Sequence, residues 1–272
     1  MTAAVGLTTL AAQAQLTSEW EGNAFLRYTT RYVFRGDQKA GQSMQANIQF
    51  QPTAGKNGFY VGGWANQPFA SERRFEFDLY GGYDYNWQGF DLSAGVIGYF
   101  YPTSTKLSPN LPNRVDGTTS YSYELNISAS REILKNWGAT ATLYYDIRLQ
   151  ALTPELSTGY RVPYTIGKYP ASLDFSAFIG NSTVKNFFPD AKSDLGYKWK
   201  DSWVYYGGTI STTVYFTKNL SVAIGIQYGD TIGKAYMPVS LRGTGNRNII
   251  VGGYGKDTSD NLYGYLSVGL RW

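Results

Sequence analysis

Apolar and polar side chains alternate with a period of two along nearly the whole chain, and no stretch carries the 3.6-residue period of an amphipathic helix. Phe75, Phe77, Leu79, Gly81, Tyr83, Tyr85 and Trp87 stand against Glu76, Asp78, Tyr80, Gly82, Asp84 and Asn86. Trp137, Ala139, Ala141, Leu143, Tyr145 and Ile147 stand against Gly138, Thr140, Thr142, Tyr144, Asp146 and Arg148. The last twelve residues, Asn261 to Trp272, place Leu262, Leu266, Val268, Leu270 and Trp272 on one face and Asn261, Tyr263, Tyr265, Ser267 and Arg271 on the other. Twelve alternating residues are long enough to cross a bilayer as a tilted strand. A chain of this kind can only be a set of strands with one apolar and one polar face.

The spacing predicts strands over 24–35, 42–52, 58–67, 75–87, 90–102, 120–132, 137–149, 155–166, 171–182, 203–216, 220–230 and 261–272. Short links (53–57, 88–89, 133–136, 167–170, 217–219) alternate with longer ones (36–41, 68–74, 103–119, 150–154, 183–202, 231–260). A soluble sandwich has no reason to sort its links this way. A transmembrane, antiparallel, up-and-down β-barrel of an outer membrane does, with short periplasmic turns, long external loops and both termini periplasmic. The expected fold is therefore all-β, a barrel of about twelve strands, or fourteen if residues 235–253 add a hairpin to the wall. Pro238 and weak alternation favour a hairpin that projects instead. The mean hydropathy of −0.32 does not argue against this, because barrel strands carry only half their residues toward lipid. Phe59, Trp87, Phe90, Trp137, Phe216 and Trp272 fall on the apolar face beside the short turns or the C-terminus, the expected position of an aromatic girdle.

Residues 2–14 are small and uncharged and close on Ala12-Gln13-Ala14, the pattern of the later part of a secretory signal and its cleavage site. Residues 1–14 are accordingly expected to be a signal-peptide remnant and residues 15–272 a single barrel domain.

The segments Thr29–Gly36 (TTRYVFRG), Gly58–Trp64 (GFYVGGW), Phe77–Tyr83 (FDLYGGY) and Gly98–Pro102 (GYFYP) occur in one order over the first hundred residues after the signal-like segment. Tyr123, Glu124 and the stretch Tyr228 to Thr231 continue them. In these the chain resembles the TorF-like porin family. The resemblance implies a Gram-negative outer-membrane barrel, inserted by the outer-membrane assembly machinery with the strand ending in Trp272 as its recognition element. It implies no substrate.

Chemistry is narrowed by two zeros. Without His there is no Ser–His or Cys–His nucleophile pair and no His-ligated zinc; without Cys there is no thiolate site or disulfide. No enzyme, cofactor or metal is expected. Asp257 and Asp260 read as a solvated turn before a calcium site, and Gly243-Thr244-Gly245 as a turn. A dispersed net charge of +4 gives no nucleic-acid footprint.

The polar faces would line a lumen. Arg27, Arg31, Arg35 and Arg271, from the first and last strands, are expected to form one basic wall, opposed by Glu76, Asp78, Asp84, Asp91 and Glu124. Opposed walls would set a transverse field that orients and filters small polar solutes diffusing through. Tyr60, Trp64, Tyr80 and Tyr99 also face inward by parity and are expected to fill volume. The alternative is a plugged barrel serving as a surface anchor, adhesin or receptor through the loops carrying Phe187, Phe188, Trp199, Arg242 and Arg247. Expected partners are outer-membrane lipid and lipopolysaccharide, small polar solutes, the assembly machinery and, in a homo-oligomer, further copies of the chain.

Overall fold

The structure, a computed structural model, describes residues 20–53, 57–69, 75–101, 121–185, 201–232 and 262–272. The expectations for residues 1–14, for 235–253, for Asp257 and Asp260, for Gly243 to Gly245, and for the loop residues Phe187, Phe188, Trp199, Arg242 and Arg247 lie outside the described residues.

The described strands are β1 (Trp20–Thr29), β2 (Tyr32–Phe34), β3 (Asp37–Ala40), β4 (Ser43–Pro52), β5 (Gly58–Pro68), β6 (Glu76–Trp87) and β7 (Phe90–Phe100). They continue as β8 (Tyr121–Leu134), β9 (Trp137–Asp146), β10 (Ala151–Ile166), β11 (Tyr169–Val184), β12 (Asp201–Tyr215), β13 (Leu220–Ile232) and β14 (Leu262–Arg271). Twelve of them form a closed antiparallel barrel in the order β1-β14-β13-β12-β11-β10-β9-β8-β7-β6-β5-β4, and β2 and β3 form a separate hairpin. The twelve-stranded, up-and-down wall expected from the alternation is thus present. Its first and last strands close it in a register that runs from Asn23↔Arg271 to Thr29↔Tyr265.

The wall is inverted relative to a soluble barrel. Leu26, Ile48, Phe59, Val61, Leu79, Ile127, Leu156, Ile179, Ile224, Leu266 and Leu270 are exposed on its outside, while Gln45, Gln49, Glu76, Asp78, Glu124, Glu155 and Ser267 are buried on its inside. A continuous apolar band of this extent is stable only where something other than water covers it, and a bilayer does so. Closure pairs every strand edge, which a strand in hydrocarbon requires because no water can satisfy a free backbone group. The seam is sealed beyond the strands. Gly22 and Trp272 exchange backbone hydrogen bonds (2.8 and 3.0 Å), and the Asn219 side chain donates to the Arg271 carbonyl.

Two boundaries differ from expectation for local reasons. The alternation running through residues 24–35 breaks as a wall strand at Thr29, and residues 32–40 turn into the barrel as the β2–β3 hairpin. β10 starts at Ala151, so residues 151–154 are strand and not link. Here the Asp146 carboxylate accepts hydrogen bonds from the backbone N–H groups of Arg148 (2.9 Å) and Leu149 (2.8 Å), which ends β9 three residues early.

The apolar cluster of the fold sits inside this ring. Tyr32 and Ala40 of the hairpin pack against Trp64 and Tyr80 of the wall, with Phe25, Phe34, Tyr60 and Ile97 around them. Phe34, which parity within a single strand would send to the outer face, is one of these interior groups.

Candidate functional site: the lumen and its inward hairpin

Thr29 ends the wall strand locally, its hydroxyl donating to the Arg31 carbonyl at 2.7 Å. The next residue stays tied to the seam: Thr30 N–H donates to the Gly264 carbonyl (3.0 Å) and its hydroxyl accepts from Gly264 N–H (3.1 Å). From there the hairpin reaches across the lumen. Its two-residue turn places both Arg35 (φ 49°) and Gly36 (φ 75°) in the left-handed region, the requirement of a type I′ connection. A Cβ on Gly36 would stand 2.2 Å from the Asp230 carbonyl oxygen, so only glycine lets the turn lie this close to β13.

Arg35 crosses to the far wall. Its two terminal nitrogens donate to the two carboxylate oxygens of Glu124 on β8, at 2.8 and 2.9 Å. The Tyr99 hydroxyl adds a third donor to Glu124 at 3.0 Å, and the guanidinium lies over the Tyr144 ring at 4.7 Å. Burial opposes the charge on Arg35, but the Glu124 carboxylate outweighs it and holds the guanidinium well above its usual range. The pair is a bidentate, charge-assisted contact, the strongest class of side-chain hydrogen bond.

The lumen near the hairpin is rich in acids. Glu76 lies opposite Asn66 in the β5–β6 register, and Asp78 lies opposite Trp64. The Tyr101 hydroxyl donates to Glu76 at 3.1 Å. Asn66 and Asp78 are each only 1% exposed, and among the described residues the Oδ1 atom of each has no hydrogen-bond partner. Further round, Ser122 donates to Asp146 (2.6 and 2.7 Å), and the fully buried Tyr205 reaches past β11 to donate to Glu155 at 2.8 Å. Among the described residues no three carboxylate, His or Cys groups gather in metal-ligating range.

The opposite end, beside the short turns, holds different charges. Arg271 pairs with Glu21 across the seam, Gln51 donates to Glu21 (2.7 Å), and Arg161 pairs with Asp174 (2.5 Å). Asp91 is exposed there and accepts from Asn86 at 2.7 Å. Asp84 faces the lumen near the same end of β6, where its carboxylate neighbours Ser93 and Asp91.

Around the circumference the lumen has two characters. The arc of β1 and β4–β7 is filled: Phe25, Tyr60, Trp64, Tyr80 and Tyr99 pack with the hairpin, and Tyr80 donates to Asn47 at 2.8 Å. Gly62 makes this possible, since a Cβ there would stand 2.4 Å from the Tyr80 ring. The arc of β8–β13 carries Tyr144, Glu155 and Tyr205 buried toward the hairpin and, farther from it, small polar groups: Ser128, Ser130, Thr140, Thr142, Ser157, Ser176, Thr209, Ser211 and Thr213, all half-buried on the inner face.

The expected basic wall is accordingly not a wall of free arginines. Arg31 and Arg35 leave β1 with the hairpin, and Arg35 is joined to one of the acids expected to oppose it. Arg271 is joined to Glu21. Arg27 stays on β1, its guanidinium over the rings of Tyr265 (4.2 Å) and Phe25 (4.9 Å). The acids also separate by depth, with Glu76, Asp78 and Glu124 at the hairpin end and Asp84 and Asp91 at the other. Phe59, Trp87, Phe90, Trp137, Phe216 and Trp272 lie at the short-turn end, all but the half-buried Phe90 exposed on the outer face. The sequence reading passed over Asn66, Tyr144, Glu155 and Tyr205. Their only signal was inward parity, shared with every other lumen residue.

Residues 13–146, just under half of the chain, match a family described as "Bacterial protein of unknown function (Gcw_chp)". No curated protein matches. Among solved structures the chain is similar to the NanC porin, at 11% identity over 91% of this chain and 98% of that one, with a TM-score of 0.47. It is similar in the same degree to the KdgM porin in complex with disordered oligogalacturonate, at 7% identity over 91% and 98% (TM-score 0.47). A third is the COG4313 outer membrane channel from Pseudomonas putida F1, at 9% identity over 97% and 98% (TM-score 0.47).

Proposed function

We propose that the chain is a passive channel of the Gram-negative outer membrane, of the TorF-like porin kind, for small polar or charged solutes, with the β2–β3 hairpin as its constriction. The observation that carries this reading is the division of the lumen. One arc is packed against the hairpin; the other, below the contacts of Arg35 with Glu124 and Tyr144, is lined by small, half-buried Ser and Thr groups, which supports a passage along it. A barrel whose interior served only to hold itself together would be filled all round, as small barrels are.

In this reading both termini are periplasmic, residues 1–14 direct export, and the aromatic residues at the short-turn end anchor the barrel at the inner interface. The outer face meets lipid and, through the long loops, lipopolysaccharide. The assembly machinery recognises the strand ending in Trp272. Selectivity rests on lumen charge: Arg27, Arg31 and Arg35 beside Glu76, Asp78 and Glu124 at the constriction, then Asp84, Asp91 and Arg271 on the way to the periplasm. No step of this function needs a catalytic group.

Conductance of the refolded full chain in a planar bilayer, under a salt gradient, tests the proposal. Stepwise openings with a defined reversal potential are the expected result. The filled arc favours a second reading, in which the lumen is closed and the barrel is an anchor or receptor. A barrel that is folded yet silent at every voltage would establish that reading and end the first.

A further inference from the structure

We infer that the lumen holds a seat for a small monocarboxylate, built on Arg27 where β1 runs between β4 and β14. Arg27 stands directly opposite Gln45 on one side and Ser267 on the other, and both of these are buried on the inner face. Its guanidinium rests over the rings of Tyr265 (4.2 Å) and Phe25 (4.9 Å), contacts that hold the cation in place without neutralising it. Gly225 makes room for this: a Cβ there would stand 2.7 Å from the Tyr265 ring, so a bare backbone lets that ring lie close against β13.

Three other arginines of the lumen are answered by acids: Arg35 by Glu124, Arg161 by Asp174 and Arg271 by Glu21. Arg27 is not. Among the described residues no carboxylate bonds to it, and the groups that bear on its charge are the hydroxyls of Tyr265 and Tyr263. Its Nε is shut off from solvent without a partner, while the side chain as a whole is half-buried, which leaves its outer end to lumen water. The side chains beside it, the Gln45 amide and the hydroxyls of Ser267, Tyr263 and Tyr265, can all donate, and none of them hydrogen-bonds to a described residue. A cation ringed by donors and lacking an acidic acceptor is the complement of an anion. The planar end of a guanidinium matches a carboxylate in two parallel hydrogen bonds. One unanswered positive charge balances one negative charge, which favours a monocarboxylate over a phosphate or a dicarboxylate. As a solute class the inference rests on the channel reading above; as a binding site it needs only lumen water to reach Arg27.

The full chain is refolded in detergent, and the fluorine NMR line of fluoroacetate is followed as protein is added. Saturable broadening is expected, reversed by acetate but not by chloride at equal ionic strength, and absent for the neutral fluoroacetamide. Arg27→Gln should weaken binding about tenfold or more, the loss of a charge-assisted, two-point contact. Gln45→Glu should weaken it as much in a folded barrel, because the new carboxylate answers Arg27 as Glu124 answers Arg35. Arg131→Gln removes an arginine that also stacks on a ring (Phe90, 4.8 Å) but is exposed on the outer face, and should leave binding unchanged. Gel migration before and after heating verifies that each variant is folded. Broadening that persists at full strength in folded Arg27→Gln belongs elsewhere and overturns the seat, as does its absence from the folded wild type. The readout needs no current. A barrel silent in the bilayer that still broadens fluoroacetate keeps the seat and ends the channel reading, whereas a conducting barrel that does not broaden it ends the seat alone.

Discussion

Arg35 is held in a left-handed backbone conformation that costs a side chain about 1–3 kcal/mol, so its surroundings must over-determine it. They do: Glu124 takes both terminal nitrogens, Tyr99 steadies Glu124, and Tyr144 lies under the guanidinium. Removing one partner of such a buried pair leaves the other charge stranded, a loss of about 3–5 kcal/mol. Glu124→Gln should therefore release the hairpin, seen as faster hydrogen exchange at the amides of residues 32–40 by about two to three orders of magnitude. Replacing both partners by apolar residues, Arg35→Met with Glu124→Leu, should restore most of the protection. Gly36→Ala should release the hairpin by a different route, since its methyl would meet the Asp230 carbonyl at 2.2 Å and adopt a disfavoured φ. If Gly36→Ala leaves exchange at 32–40 as slow as in the wild type, the close packing of the turn on β13 is wrong.

The hairpin is also where sequence reasoning stopped. Alternation fixed the faces of the wall strands because burial on one side of a sheet imposes a period of two wherever it occurs. It could not place residues 30–40, because Tyr32, Phe34, Arg31 and Arg35 keep the same rhythm after the chain has left the wall. What diverts them is non-local: Glu124 and Asp230 lie far along the chain, and no local pattern announces either as a partner. The one local sign is Arg35-Gly36-Asp37, a turn sequence at the end of the strand expected over 24–35. The same limit hid Glu155 and Tyr205, which pair across the intervening β11. At this scale the structure makes a direct prediction. Thr29 and Ser43 are register partners, so a tight turn can join β1 to β4 in place of residues 30–42 without disturbing the wall. The shortened barrel should fold, and its conductance in a bilayer should at least double. An unchanged conductance would mean that the hairpin does not define the constriction.

For the whole molecule, the shape of the wall depends on its closed register, and the absence of cysteine from the sequence makes that register simple to test. Leu26 and Val268 are register partners across the seam on the outer face. Leu26→Cys with Val268→Cys should form a disulfide on mild oxidation of the folded barrel, whereas Leu26→Cys with Leu270→Cys, one face position out of register, should form it poorly. Equal yields from the two pairs would contradict the closure described here. A second whole-molecule expectation concerns charge. If lumen groups set selectivity, neutralising Arg27, Arg31 and Arg35 together should shift the reversal potential toward cations, and an unaltered potential would remove them from that role.

The hairpin hangs from the first wall strand, and its anchoring points are distributed round the ring: Gly264 on β14, Glu124 on β8, Asp230 on β13. That arrangement sets an order of events during biogenesis. The segment is made early, yet the contacts that seat it come into being only as later strands join, and the one at Gly264 only when the circle is complete. Seating of Arg35 on Glu124 in full is then a marker of a finished barrel, and the hairpin takes up its part of the lumen only as the circle closes.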